Sequence, residues 1–208
     1  MAGLFFMGCR TTGPAAEPVT AAEQPILEEE PPVGALAGKR VAVIIEEGFH
    51  DGETTKPMEF LRDHGAEVTV VGIGPGELKA YNSDVRVNVE KSISEVSPDD
   101  FDALVIPGGR SPSVLRQNDG ITGFVSSFAA TNKPIAAICH GPQVLISAGL
   151  MSGRRSTGFP EIEEELTEAG ALFEDSAMVR DGNIITSRIP DDLPQFNEAI
   201  KAALLELE

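Results

Sequence analysis

Cys139 and His140 are adjacent, and the residues around them decide what chemistry they could do. The apolar run Ile135 to Ile138 ends at the cysteine, and Gly141-Pro142 opens into a helix-like segment that closes at Ala148-Gly149. A strand that turns sharply into a helix lifts the turn residue above the sheet's carboxyl edge, next to helix N-terminal amides. Those amides favour an anion, so the pattern predicts a reactive thiol with a pKa below that of free cysteine. The competing reading is a packing cysteine at the end of a core strand. A plain core strand would not need the glycine and the proline behind it.

Two other loops follow apolar runs. Residues 46–53 carry Glu46, Glu47, Asp51, Glu53 and His50, most of them expected to be solvated. Gly108-Gly109 follows Asp102 to Pro107. The glycine pair lets the backbone approach a ligand, so an amide there could face an oxyanion, although two glycines can also serve only a tight turn.

The elements that must position these loops alternate. Arg40 to Ile45, Glu67 to Gly72, Asp102 to Pro107 and Ile135 to Ile138 read as strands buried on both faces. Helices are predicted over Thr54 to His64, capped by Thr54 or Thr55 with Pro57 in the first turn, over Gly120 to Ala130 and over Pro160 to Ala169. A last, amphipathic helix spans Pro194 to Leu207 with Phe196, Ile200, Ala203 and Leu204 on one face. Short extended segments fill Lys79 to Ser92, Arg154 to Thr157, Ala171 to Glu174 and Ala177 to Arg180, and Asp181-Gly182 signals a hairpin. The alternation predicts a three-layer α/β domain with a mostly parallel sheet, in which ligands sit outside the carboxyl ends of the strands. All three loops fall there.

The net charge of -17 argues against nucleic acid, which needs clustered Lys and Arg. Cys9 and Cys139 lie too far apart, in too different settings, to suggest a disulfide framework. The histidines at 50, 64 and 140 lack ligand-like spacing, and no phosphate-loop or dinucleotide fingerprint is present, so neither metal nor cofactor is expected.

Three segments, Asp102 to Arg110, Ala137 to Gln143, and Asp181 to Asn183 with Thr186 to Pro190, resemble the PfpI family of cysteine peptidase-like proteins in the class I glutamine amidotransferase-like superfamily. The resemblance runs from about Arg40 to the C-terminus. It implies a flavodoxin-like sandwich with Cys139 on a nucleophile elbow, His140 as the histidine that follows it, and Glu53 as the carboxylic acid against the thiol. Gly109 would then supply an oxyanion-hole amide, with Gly108 and His50 lining the substrate site. It also implies a cofactor-independent hydrolase acting on reactive carbonyls or their amine adducts, in the manner of deglycases and glyoxalases, and a homo-oligomer. A peptidase or amidase and a non-enzymatic redox-sensing or holdase thiol are the alternatives. Three positions depart from the family pattern. His50 replaces the first glutamate of the loop, Phe159 replaces a tyrosine, and Ser113 stands where peptidase-like members carry a glutamate. Without that acid His140 loses its expected orienting partner.

Residues 1–37 lie outside the resemblance. An apolar start ending at Gly8-Cys9 resembles the end of a bacterial lipoprotein signal, though it is short and lacks a basic region. Five of the fifteen prolines and the run Glu28 to Glu30 follow, which predicts a linker up to Ala37 and a folded domain over 38–208. Two locations are open. The cytoplasm fits the family, and an envelope anchored through lipid on Cys9 fits the signal-like start.

Overall fold

The computed structural model describes residues 34–207, together with Met1 and Gly3. Cys9 and the expected linker up to residue 33 fall outside the described residues. The four residues after it do not behave as linker. Leu36 is fully buried in the core, and its amide donates to the His64 carbonyl at 2.8 Å, so the folded domain includes residues 34–37. One leucine among glycines and alanines gives no periodicity from which this could be read.

The strands are β1 (Arg40–Ile44), β2 (Glu67–Gly72), β3 (Gly76–Lys79), β4 (Arg86–Val89), β5 (Lys91–Ser92), β6 (Ala103–Ile106), β7 (Ile135–Ile138), β8 (Arg155–Ser156), β9 (Leu172–Phe173), β10 (Met178–Asp181) and β11 (Ile184–Ser187). The helices are α1 (Asp51–Asp63), α2 (Ser111–Leu115), α3 (Asp119–Ala129), α4 (Pro142–Ser147), α5 (Glu163–Glu168) and α6 (Leu193–Leu205). Seven strands form one sheet in the order β10-β11-β7-β6-β1-β2-β5. Every neighbouring pair is parallel except β10-β11, the hairpin predicted at Asp181-Gly182.

Successive residues of a strand face opposite sides, and β1 uses both. Val41 and Val43 pack with Met58 and Leu61 of α1 and with Phe196, Ile200 and Leu204 of α6. Ala42 and Ile44 pack with Ile121, Val125 and Phe128 of α3 and with Val144 and Leu145 of α4. Each such side chain, fully buried, contributes about 1.5–3 kcal/mol. The result is the expected flavodoxin-like three-layer sandwich. Among the described residues, no helix is long and apolar enough to cross a membrane.

Two helix starts differ from expectation. α1 begins three residues before Thr54, because the His50 ring, not a threonine, accepts the Glu53 amide at its N-terminus. Pro57 therefore sits in the second turn and not the first. The segment from Pro160 opens as a 3-10 turn over Pro160–Ile162 and becomes α5 only at Glu163.

Candidate active site

Cys139 directly follows the interior strand β7 with φ +62°, a left-handed conformation unusual for a residue with a Cβ. Three backbone bonds hold it there. Its amide donates to the Ser187 carbonyl at 3.0 Å, its carbonyl accepts from the Phe159 amide at 2.9 Å, and Gly141 N–H returns to Ile138 at 2.8 Å. A Cβ at Gly141 would stand 2.3 Å from the Ile106 carbonyl oxygen, so this turn admits only glycine there. Strain of this kind costs about 1–3 kcal/mol and persists where surrounding structure over-determines it.

Gly108 and Gly109 pass directly beside the thiol. A Cβ on Gly108 would lie 2.5 Å from both the Cys139 Cβ and Glu53 Oε2, and 3.0 Å from Sγ. The Gly108 amide donates to Glu53 Oε2 at 3.0 Å, so it holds the acid and is not free for a substrate oxygen, as the sequence had suggested it would be. Gly109 has φ +85° and bridges to Phe49. Its backbone amide and that of His140 favour the anion of the Cys139 sulfur.

Glu53 reaches the thiol from the first turn of α1, fully buried. Its Oε1 is buried without a hydrogen-bond partner. Burial, foremost, pushes the Glu53 carboxyl up to about 7 against the opposing hydrogen bonds from Cys139 and Gly108. The thiol moves opposite to expectation. Burial first, then the Glu53 charge, push Cys139 up to about 12, despite the Gly109 and His140 amides. The helix behind it is only six residues long and begins at Pro142, which has no N–H to offer. Carboxylate and thiolate cannot both be charged cheaply in this space, so near neutrality the pair carries at most one negative charge, on Glu53.

His140 Nδ1 lies 3.3 Å from Sγ, and the ring stacks on Phe159 with centroids 4.9 Å apart, so the phenylalanine in place of tyrosine keeps the stacking surface. Burial lowers the His140 pKa, which leaves the imidazole neutral. Ser113 turns its hydroxyl to the Arg110 carbonyl at 2.7 Å and gives His140 no acid. An acid comes from elsewhere: Glu161 Oε2 is 3.9 Å from His140 Nε2. Glu165 adds charge from farther off, held by Gln143 Nε2 at 2.7 Å and by Arg116.

His50 is brought to the same region as the cap of α1. Its Nε2 is 3.4 Å from Asn82 Nδ2, and its ring meets Tyr81 edge-on at 5.8 Å. Burial lowers its pKa, consistent with Nδ1 serving as an acceptor. Cys139, Glu53, His140, Gly108, Gly109 and His50 thus converge from three loops. Sequence reasoning missed Glu161, Tyr81 and Arg110. Arg110 had a signal, its place directly after the glycine pair, whereas Tyr81 comes from the β3–β4 hairpin and had none.

A model of the DJ-1/PfpI family matches residues 39–203. "Protein/nucleic acid deglycase 2" of Escherichia coli is 43% identical over 166 residues, covering 78% of this chain and 96% of the relative. "General stress protein 18" of Bacillus subtilis is 41% identical over 171 residues, covering 81% and 99%. Among solved structures, Drosophila melanogaster DJ-1beta superposes with a TM-score of 0.75 at 31% identity, over 80% of this chain and 90% of that one.

Proposed function

This chain belongs to the DJ-1/PfpI family, and from that premise we propose that it is a cofactor-independent cysteine enzyme acting on reactive carbonyls or their adducts on amines. The observation that carries the reading is the buried pair of Cys139 and Glu53, with a carboxyl pKa of about 7 next to a thiol that needs a base. A general base works best when its pKa lies near the operating pH. The name of the Escherichia coli relative supports the same class of chemistry.

For an α-oxoaldehyde R–CO–CHO, the thiol proton passes to the Glu53 carboxylate as sulfur bonds the aldehyde carbon. The carbonyl electron pair moves to oxygen, which takes a proton from Glu53 and gives a hemithioacetal. The Gly109 and His140 amides, already beside the sulfur, would stabilise the developing oxyanion. Glu53, a carboxylate again, removes the hydrogen from that carbon, and a proton returns to the neighbouring carbon to give a thioester of the 2-hydroxy acid. Water cleaves the C–S bond. The sum is R–CO–CHO plus water to R–CH(OH)–COOH, with no external oxidant.

The test is lactate formation from methylglyoxal. Wild type should turn over with a rate that rises as pH passes through about 7, where Glu53 ionises. Cys139→Ala and Glu53→Gln should each abolish it, and a Cys139→Ala variant that keeps the rate sinks the proposal. If wild type turns over neither methylglyoxal nor a glycated amine while mild peroxide oxidises Cys139 selectively, a redox-sensing thiol takes its place.

One observation favours a second reading, a peptidase or amidase. Sγ, His140 and Glu161 follow one another in the order of a cysteine–histidine–acid triad. Glu161 is 77% exposed, so its hold on the ring is weak. Peptide hydrolysis lost in both His140→Ala and Glu161→Gln would support it, and hydrolysis unaffected by Glu161→Gln would remove the triad.

A further inference from the structure

Arg110 stands apart from the other arginines. Among the described residues, Arg40, Arg62, Arg86, Arg116, Arg154, Arg155, Arg180 and Arg188 each have a carboxylate oxygen within 4.0 Å. Arg110 has none among those residues, in a chain with 33 Asp and Glu. The nearest loop acids are committed elsewhere: Glu46 accepts from the Ile73 amide at 3.3 Å and Glu47 from the Lys79 amide at 2.8 Å.

Its position is fixed although its side chain is exposed. Arg110 directly follows the Gly108-Gly109 pair that passes beside the thiol. The Arg110 N–H donates to the Gly48 carbonyl at 2.8 Å, and the Arg110 carbonyl accepts from the Ser113 amide at 3.1 Å. The guanidinium carbon lies over the Tyr81 ring, 5.3 Å from its centroid. Tyr81 packs on His50, the cap of the helix that carries Glu53. A guanidinium supported on a ring face keeps its in-plane N–H groups free, and that fork matches a carboxylate.

We propose that Arg110 is a specificity residue that binds a carboxylate carried by the carbonyl substrate, so that the site prefers anionic α-oxoaldehydes to neutral ones. This rests on the carbonyl-enzyme reading for its substrate. The anion recognition itself has a readout that needs no turnover.

The first arm compares alkylation of Cys139 by iodoacetate and by iodoacetamide, reagents that differ in charge at nearly equal size, with the Cys139 peptide read by mass spectrometry. In Arg110→Gln the iodoacetate-to-iodoacetamide rate ratio should fall about fivefold, the upper end for an exposed ion pair, and Arg110→Lys should lie between. In wild type the ratio should also fall with added salt. The second arm compares kcat/KM for 4,5-dioxopentanoate and methylglyoxal, the same α-oxoaldehyde with and without a carboxylate arm. Their ratio should fall in Arg110→Gln by a similar factor, carried mainly by KM.

An alkylation ratio unchanged in Arg110→Gln overturns the proposal, including the case in which that variant only alters the assembly's mass on sizing. Turnover of both aldehydes with an unchanged preference overturns it while leaving the enzyme reading intact. A fallen alkylation ratio with no turnover of either aldehyde removes the enzyme reading and leaves the anion site standing.

Discussion

Replacing Glu53 by glutamine keeps the shape of the protonated acid and removes its proton, so it isolates what burial of this carboxyl costs the fold. In the unfolded chain the group would ionise near its ordinary 4.5, whereas in the folded protein it holds its proton to about 7. Between those values unfolding releases a proton, so stability falls as pH rises from 4.5 through 7 and the loss is complete above 7. At about 1.4 kcal/mol per pKa unit the loss is about 3 kcal/mol. Glutamine cannot ionise, and its carbonyl can still accept the Gly108 N–H that Oε2 accepts now at 3.0 Å. The free energy of urea unfolding, measured for both proteins from pH 5 to 8, should therefore show wild type losing most of that ~3 kcal/mol relative to Glu53→Gln. Groups distant from the site cancel in the difference, and the folded Cys139 thiol of wild type, pushed up to about 12, stays protonated through this window. A difference that stays flat across this window, or that grows in wild type's favour, would refute the assignment of a burial-raised carboxyl beside the thiol.

Two further outcomes follow from the same pair and its turn. Since the Glu53 charge helps push the thiol up to about 12, Glu53→Gln should move the midpoint of Cys139 alkylation to lower pH, and a move upward would mean that Glu53 donates a proton to a resting thiolate. At φ +62° an alanine keeps the Cβ conflict that a glycine escapes, so Cys139→Gly should be more stable than Cys139→Ala by about 1 kcal/mol in thermal or urea unfolding, contrary to the usual order of the two residues.

The sheet and the three loops at its carboxyl edge were legible because buried parallel strands write continuous apolar runs, as β1, β6 and β7 do, with β2 close to it. Cys139 was legible from the glycine and proline after it. The direction of its pKa was not, because it depends on Glu53, which lies 86 residues earlier in sequence and meets the thiol only through the fold. Gly108 looked like a ligand-facing glycine, but whether an amide points at a substrate or at a side chain depends on a partner that no spacing reveals. The acid near His140 was sought at position 113 and found at Glu161, in the 3-10 turn before α5, where the sequence suggested only the first turn of a helix. His50 was read as a substrate contact, and the structure adds a second role, the cap of α1, which histidine seldom signals.

The bond from the Cys139 amide to the Ser187 carbonyl has a temporal meaning. β7 lies between β6 and β11, and β11 is the last strand of the chain to be made. While a ribosome is still extending the chain from residue 139 to residue 187, one flank of the thiol's strand is open and the left-handed turn lacks its Ser187 anchor, and before residue 159 its Phe159 anchor too. At about 5–20 residues per second that interval spans several seconds. Glu53 and the glycine pair are already made by then, but the cysteine gains its Ser187 bond only when the carboxyl-terminal hairpin closes beside it. A truncated or stalled chain would thus carry an unguarded thiol without the geometry that gives it a use.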